Sequence, residues 1–379
     1  MRWEIPMKDL NKISSKEIFV LTFYLTIALF VGFGNSQLLK ISNSTTLITA
    51  IVGVIIGFIP IMLVIYLSKF TTDKNIFELL SSKFKVFGKI LNLLIGLSVI
   101  IMGMVSIWNC VNFAVSQYLS QTPLILIGII FFLIVCLCVI KGKEVIGRTA
   151  IILFPIFIIF TLVAWIGLIP KIEIENIYPI LNIKTLDFIK SAIYFPLYAT
   201  LPMFLFLSIR QNDIVDKENF KKAIIYGYTT AAIFPIIFIF LIISVLGNDF
   251  ATILAYPEYS LFKKIKAFNF VEKIENFILV IIFIAFFIHN SVGTYFYKNF
   301  FKASFNIKSS KTINIVMFSF SMAICIFTIF IFTKSQPLFL LNDYPLVASS
   351  IFIVFLIVAI MLTINKFNAK KAKIVDKNA

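Results

Sequence analysis

Long stretches without charge alternate with short polar, charged connections along this chain. There are 22 uncharged positions between Glu17 and Lys40, and 28 between Lys40 and Lys69. Between Lys89 and Lys141 lie 51, too many for one crossing, and the polar break Ser120-Gln121-Thr122-Pro123 divides them in two. Further runs fill 149–170, 191–209, 223–248, 276–297, 312–333 and 344–365. Each is close to the roughly 20 apolar residues that carry a helix across a bilayer. The pattern predicts an all-α, polytopic membrane protein with ten transmembrane helices.

Charge fixes the orientation. The net charge is +16, and 25 of the 34 Lys and Arg residues fall in the segments on one side of the ten spans. By the positive-inside rule that side, with both termini, is cytoplasmic. The excess charge is therefore a topology signal that favours membrane lipid with an anionic inner leaflet, not nucleic acid. The first fourteen residues are polar and charged and lack the layout of a cleaved signal peptide, so the first span is expected to act as its own insertion signal. Cys110, Cys136, Cys138 and Cys325 all fall inside apolar runs and read as buried small side chains, not as a disulfide or metal framework.

Five spans precede the 171–190 connection and five follow it. Five is odd, so two structural repeats would be inverted. The predicted organisation is one membrane domain over 1–379. It comprises a cytoplasmic N-terminus 1–14, a first five-helix repeat 15–170, an outer linker 171–190, a second repeat 191–365 and a basic tail 366–379. Two connections match across the halves. Residues 75–87 place Ile76, Leu79, Leu80, Phe84 and Phe87 on one helical face, away from Lys83 and Lys85. Residues 256–275 do the same with Leu261, Ile265 and Phe268 against Lys263, Lys264 and Lys266. Both read as short interfacial helices, one on each side of the membrane.

The stretch 27–39 organises the reading. Gly32 and Gly34 lie two apart late in the first span, followed at once by Asn35, Ser36 and Gln37. Such a stretch is either a close-packing contact between helices or a broken helix whose freed backbone groups face a cavity. The sixth span, at the equivalent position in the second half, carries Pro196 and Pro202 around Tyr198 and Thr200. Prolines remove backbone donors, and interrupted helices at matching positions point to a central binding site.

Several stretches carry a family resemblance. They are Ile13-Ser14-Ser15-Lys16-Glu17-Ile18-Phe19, the inner turn Lys141-Gly142-Lys143-Glu144-Val145-Ile146-Gly147-Arg148, Asn176-Ile177-Tyr178-Pro179-Ile180-Leu181, and Tyr256-Pro257-Glu258-Tyr259 with Phe270-Val271-Glu272-Lys273-Ile274-Glu275. In order and spacing these resemble the B subunit of the nutrient germinant receptor of endospore-forming bacteria, the spore permease branch of the amino acid–polyamine–organocation superfamily. The inner turn departs from the family pattern at Lys143, where Arg is usual, and at Gly147, where Ala is usual. The resemblance implies a five-plus-five inverted-repeat (LeuT-like) fold with helices 1 and 6 broken. It also implies location in the spore inner membrane, A and C subunits as partners, and a role in sensing a small nutrient, often an amino acid. An amino-acid permease of the same superfamily is the alternative.

No acidic or basic side chain lies deep in any span, which weakens proton- or ion-driven transport. A zwitterion can still be held by free backbone groups at a helix break. The candidate ligand-binding backbone is that of Val31, Gly32, Gly34 and Asn35, facing Tyr198 and Thr200. Ser106, Asn109, Asn112 and Ser116 in the third span either line the same cavity or bond helices together. His289, Ser291 and Thr294 form, with Asn290, the polar centre of the eighth span. His289 is either a ligand or water contact or a neutral histidine bonded to another helix. No nucleophile–base pair, phosphate loop or metal-ligand cluster stands out, so neither an enzyme nor a cofactor is expected.

Overall fold

The computed structural model describes residues 12–181, 183–265, 276–334 and 344–378. Among them the regular structure is helical, apart from one bridge pair, Ile13 with Ile214. Nine helical segments among the described residues are long and apolar enough to cross a membrane. The first of them, Ser15–Ser68, has 54 residues. Drawn out straight it would run about 81 Å, against a hydrocarbon core of about 30 Å. It is two crossings. Helix α1 (Ser15–Ile27), a π-type turn (Phe30–Gly34) and α2 (Asn35–Ser42) make the first. The chain turns at Asn43, with φ 46°, and α3 (Thr46–Ile56) with α4 (Phe58–Ser68) makes the second. Ten crossings result.

The third, fourth and fifth crossings are α5 (Ile76–Gln117), α6 (Leu124–Lys141) and α7 (Lys143–Leu168). The sixth joins α8 (Thr185–Ala199) to a 3₁₀ stretch (Leu201–Ser208). Helix α9 (Phe220–Leu246) is the seventh, followed by the short helices α10 (Asn248–Ile253) and α11 (Pro257–Phe262). Helices α12 (Asn276–Ser304), α13 (Ser310–Lys334) and α14 (Tyr344–Asn378) complete the set. Both halves thus begin with a broken crossing. Helix α8 starts at Thr185, six residues before the uncharged run, and its first turns carry the Asp187–Lys190 ion pair.

The broken crossings occupy the centre. In the sixth, 89% of the apolar window is inside the protein, against 22% in α7. Helix α1 packs on α9, α7 and α12, while α8 packs on α3 and α2. Phe23 of α1 meets Phe154, Phe157 and Phe234 edge-on at 4.9–5.6 Å, which ties α1 to α7 and α9. Small and hydroxylated residues do the same for α2, α3 and α8. The Ser42, Thr49 and Ser191 hydroxyls bond within 2.8–3.4 Å, and Gly53 leaves room for Phe195.

Beside the start of α1 the two halves are knitted through backbone. The Ile13 N–H donates to Asp213 O and the Val215 N–H to Ile13 O, both at 2.9 Å. Gln211 and Asn212 N–H groups donate to Thr71 O and Thr72 O at 2.9 and 3.1 Å. Asp213 also takes Lys143 Nζ at 3.1 Å and Arg210 Nε at 3.0 Å. Nearby, Ser14 and Glu17 cap α1 reciprocally.

The inner connection begins as expected, with Ile76, Leu79 and Leu80 buried and Lys83 exposed. Phe87 departs from it, being 49% exposed. Lys85 takes φ 47° and turns the chain, so residues beyond it no longer share the face of Ile76. In the outer connection Leu261 and Ile265 are buried and Lys263 and Lys264 exposed. Lys266 and Phe268 lie outside the described residues.

Candidate functional site

The first break is a change of backbone hand at two residues. Val31 is extended (φ −68°, ψ 117°) and Gly32 is left-handed (φ 86°, ψ −8°). Glycine takes that conformation without steric cost. Beyond it the Gly34 N–H reaches back five residues to Leu29 O at 2.8 Å, and α2 begins. Gly34 itself is helical, and a Cβ there would press on Leu29 O at 2.9 Å. Its role is close packing inside the turn.

The second break follows Pro196. Helix α8 ends at Thr200, whose hydroxyl donates to Pro196 O at 2.7 Å. The eight residues after it are 3₁₀-helical and all buried, about twice the usual length of such a run. Aromatic rings join the two breaks. Phe30 lies 4.6 Å from Phe195, and Phe33 meets Tyr198 edge-on at 5.5 Å. Tyr198 stacks on Tyr344 at 5.1 Å. Tyr198 also lines a pocket of about 430 Å³, with Gln37, Lys40, Asp187, Lys190 and Tyr194.

The outer connection supplies what the spans lack. Glu258, on α11, is 1% exposed. Its Oε1 accepts from Asn35 Nδ2 at 2.7 Å, just past the first break. Burial pushes its carboxyl up to about 7, opposed in order by its own backbone, the Asn35 amide and the Gly32 backbone. The Tyr256 ring covers Gly32: a Cβ there would stand 3.6 Å from Tyr256 Cδ1 and 3.7 Å from Asn109 Nδ2. Asn112 Nδ2 donates to the Tyr256 hydroxyl at 2.7 Å, and Ser36 Oγ donates to Leu254 O at 2.8 Å. The spans themselves carry no deep charge at the breaks, yet a carboxylate arrives there from a loop.

Of the residues singled out in the sequence, Val31, Gly32, Asn35, Asn109 and Tyr198 gather around the first break. Thr200 instead sits beside Gly57 and Tyr228, its hydroxyl spent on Pro196. Ser106 Oγ accepts from Asn290 Nδ2 at 2.9 Å, a bond between α5 and α12. His289, Asn290 and Thr294 line a separate cavity of about 30 Å³ among α5, α6, α12 and α13, room for a water. Ser291 faces Cys138 of α6. Two positions along a helix are about 200° apart around it, so His289 and Ser291 present to different neighbours. All four cysteines are free and buried, and among the described residues no three His, Cys, Asp or Glu side chains cluster as for a metal. Tyr256 and Glu258 were absent from the sequence-derived site. The signal lies in Tyr256-Pro257-Glu258-Tyr259, an acid set between two tyrosines ahead of the lysines of the connection.

Solved transporters share this architecture. A Na⁺-coupled sialic acid symporter in a substrate-bound outward-open state matches with TM-score 0.61 and 13% identity, over 90% of this chain and 78% of its own. Mhp1, a nucleobase-cation-symport-1 family transporter in a closed conformation with bromovinylhydantoin bound, matches with TM-score 0.66 and 12% identity, over 91% and 78%. At such identity the likeness carries the fold, the ten-helix inverted repeat. In sequence, the "Putative spore germination protein YfkT" of Bacillus subtilis (strain 168) is 28% identical over 225 residues, 59% of this chain. The match spans 61% of that relative's length. Residues 12–337 match the spore permease family, described as spore germination protein. An integral membrane protein with this fold and this match over most of its length belongs to the spore germination protein family.

Proposed function

We propose that the chain is the nutrient-sensing membrane subunit of a spore germinant receptor. It binds a small nutrient, an amino acid by preference, near midplane between the broken first and sixth crossings. The observation that carries this reading is the meeting of the two breaks through Phe30, Phe33, Phe195 and Tyr198, with the buried polar groups Asn35, Asn109 and Glu258 beside them. Binding favours one of two packings of the repeats, by the difference in affinity for each. The change passes to A and C subunits in the spore inner membrane, with both termini cytoplasmic. The chain does no catalysis in this reading.

The test is dipicolinate release from spores of the source strain with and without this gene, across amino acids, sugars and nucleosides. Loss of the response to one nutrient class, with others intact, is the expected result. If every response survives deletion, the receptor reading falls. A second reading, an amino-acid permease, is favoured by the fold's likeness to two symporters. Vesicles holding only this chain would then accumulate labelled amino acid under a proton or sodium gradient.

A further inference from the structure

The seat at the first break has hydrogen-bonding capacity left over. Glu258 Oε1 is satisfied by Asn35 Nδ2, but Glu258 Oε2 and Asn35 Oδ1 are buried with no hydrogen-bond partner among the described residues. On the same seat Asn109 Nδ2, 3.7 Å from where a Cβ on Gly32 would stand, is a buried donor with no partner. Two unpaired acceptors, on Glu258 and Asn35, and one unpaired donor, Asn109 Nδ2 beside Gly32, therefore lie at the first break, and one of the acceptors belongs to a carboxylate. Among the described residues no Lys, Arg or His pairs with that carboxylate. A buried polar group left unpaired is costly, and more so when it is ionisable.

The partner that fits is a cation with several donors. A primary ammonium has three N–H donors and no acceptor. A carboxylate there would meet Glu258 with like charge and leave both acceptors unpaired. We infer that Glu258 is the counter-ion of the ligand's ammonium, and that the seat of Glu258 Oε2, Asn35 Oδ1 and Asn109 Nδ2 takes a primary amine next to a hydrogen-bond acceptor, as in an α-amino acid. The ammonium donates to the two oxygens, and Asn109 Nδ2 donates to the ligand's carboxylate. Tyr256, held by Asn112, is the ring that shifts off Gly32 to admit it. This assignment rests on the nutrient-binding reading and adds to it the charge that the ligand must carry.

The test uses the full chain purified into nanodiscs. Calorimetry is run with the common L-amino acids, and with L-lactate, glucose and inosine as amine-free probes. The expected result is that at least one amino acid binds and its hydroxy-acid analogue does not. Glu258→Gln, which keeps shape and removes charge, then weakens that amino acid by at least about tenfold. An affinity unchanged within about twofold in Glu258→Gln overturns the assignment. So does a hydroxy acid that binds as well as its amino acid. Should Glu258→Gln not fold, the comparison of amino acid with hydroxy acid on the unaltered chain decides alone. If glucose or inosine binds and no amino acid does, the nutrient reading stands and the ammonium assignment falls. If no probe binds, both fall.

Discussion

Replacing Gly32 by alanine isolates the cost of the first break. Gly32 sits at φ 86°, ψ −8°. An L-residue held left-handed costs about 1–2 kcal/mol. Space adds nothing, since the nearest atoms to a Cβ, on Tyr256 and Asn109, lie at 3.6 and 3.7 Å, ordinary contact. The loss should therefore be about 1–2 kcal/mol, a factor of roughly 5–30 in the folded-to-unfolded ratio. Asparagine, which tolerates this conformation, should recover part of it at the same position. Gly103, inside α5 with nothing within 4 Å of a Cβ, is the control. There alanine should be neutral or stabilising, by up to about 1 kcal/mol. The assay is thermal melting of the purified protein in one detergent, followed by tryptophan fluorescence and by loss of the monodisperse peak. A Gly32→Ala protein that melts with the unaltered chain, or an asparagine no better than alanine, would refute a left-handed residue at the break.

Other substitutions test the packing and the buried acid. Gly53→Ala puts a methyl 2.5 Å from Phe195 Cβ and 3.0 Å from Ala192 O, atoms tied to the α8 backbone. It should lower stability by about 1–3 kcal/mol, read as a drop in melting temperature. Tyr228→Phe removes the hydroxyl that donates to Val54 O at 2.9 Å, at a cost of about 1 kcal/mol in the same assay. Glu258, with its carboxyl raised from 4.5 to about 7, holds a proton in the folded protein over a range where the unfolded chain has released it. Its contribution to stability should be greatest at low pH, fall as pH rises from about 4.5 through about 7, and stay level above. The difference in melting temperature between the unaltered chain and Glu258→Gln, followed across pH, reads this directly. A difference that does not change with pH would place the group outside the buried seat.

The crossings and the two breaks were legible in the chain because they depend on local chemistry. A run without charge is a crossing whatever packs on it, and Gly32 and Pro196 alter the backbone by themselves. The seat was only half legible. Asn35 and Asn109 follow from helix position, but Glu258 lies more than two hundred residues from Asn35 and reaches it because α11 folds inward. No periodicity encodes that contact. His289 and Ser291 show the reverse case. Two positions apart in sequence and both polar, they suggest one site, while helical rotation sends one to a cavity with Phe132 and the other to Cys138. Phe87 fails for a third reason: the left-handed Lys85 resets the register of the face on which it was counted.

The 3₁₀ stretch from Leu201 to Ser208 has a mechanical meaning. Eight residues rise about 16 Å in 3₁₀ form and about 12 Å as an α-helix. The 3₁₀ form is therefore about 4 Å longer along the axis of the sixth crossing than the same residues would be as an α-helix. One end of that stretch is anchored at Thr200, beside Gly57 and Tyr228 and two residues past Tyr198. The other ends at Arg210, inside the knot that Asp213 makes with Lys143. Any relaxation of the stretch toward α-helix would draw that knot outward by the same distance with α8 standing still, as a short piston beneath a fixed cylinder head.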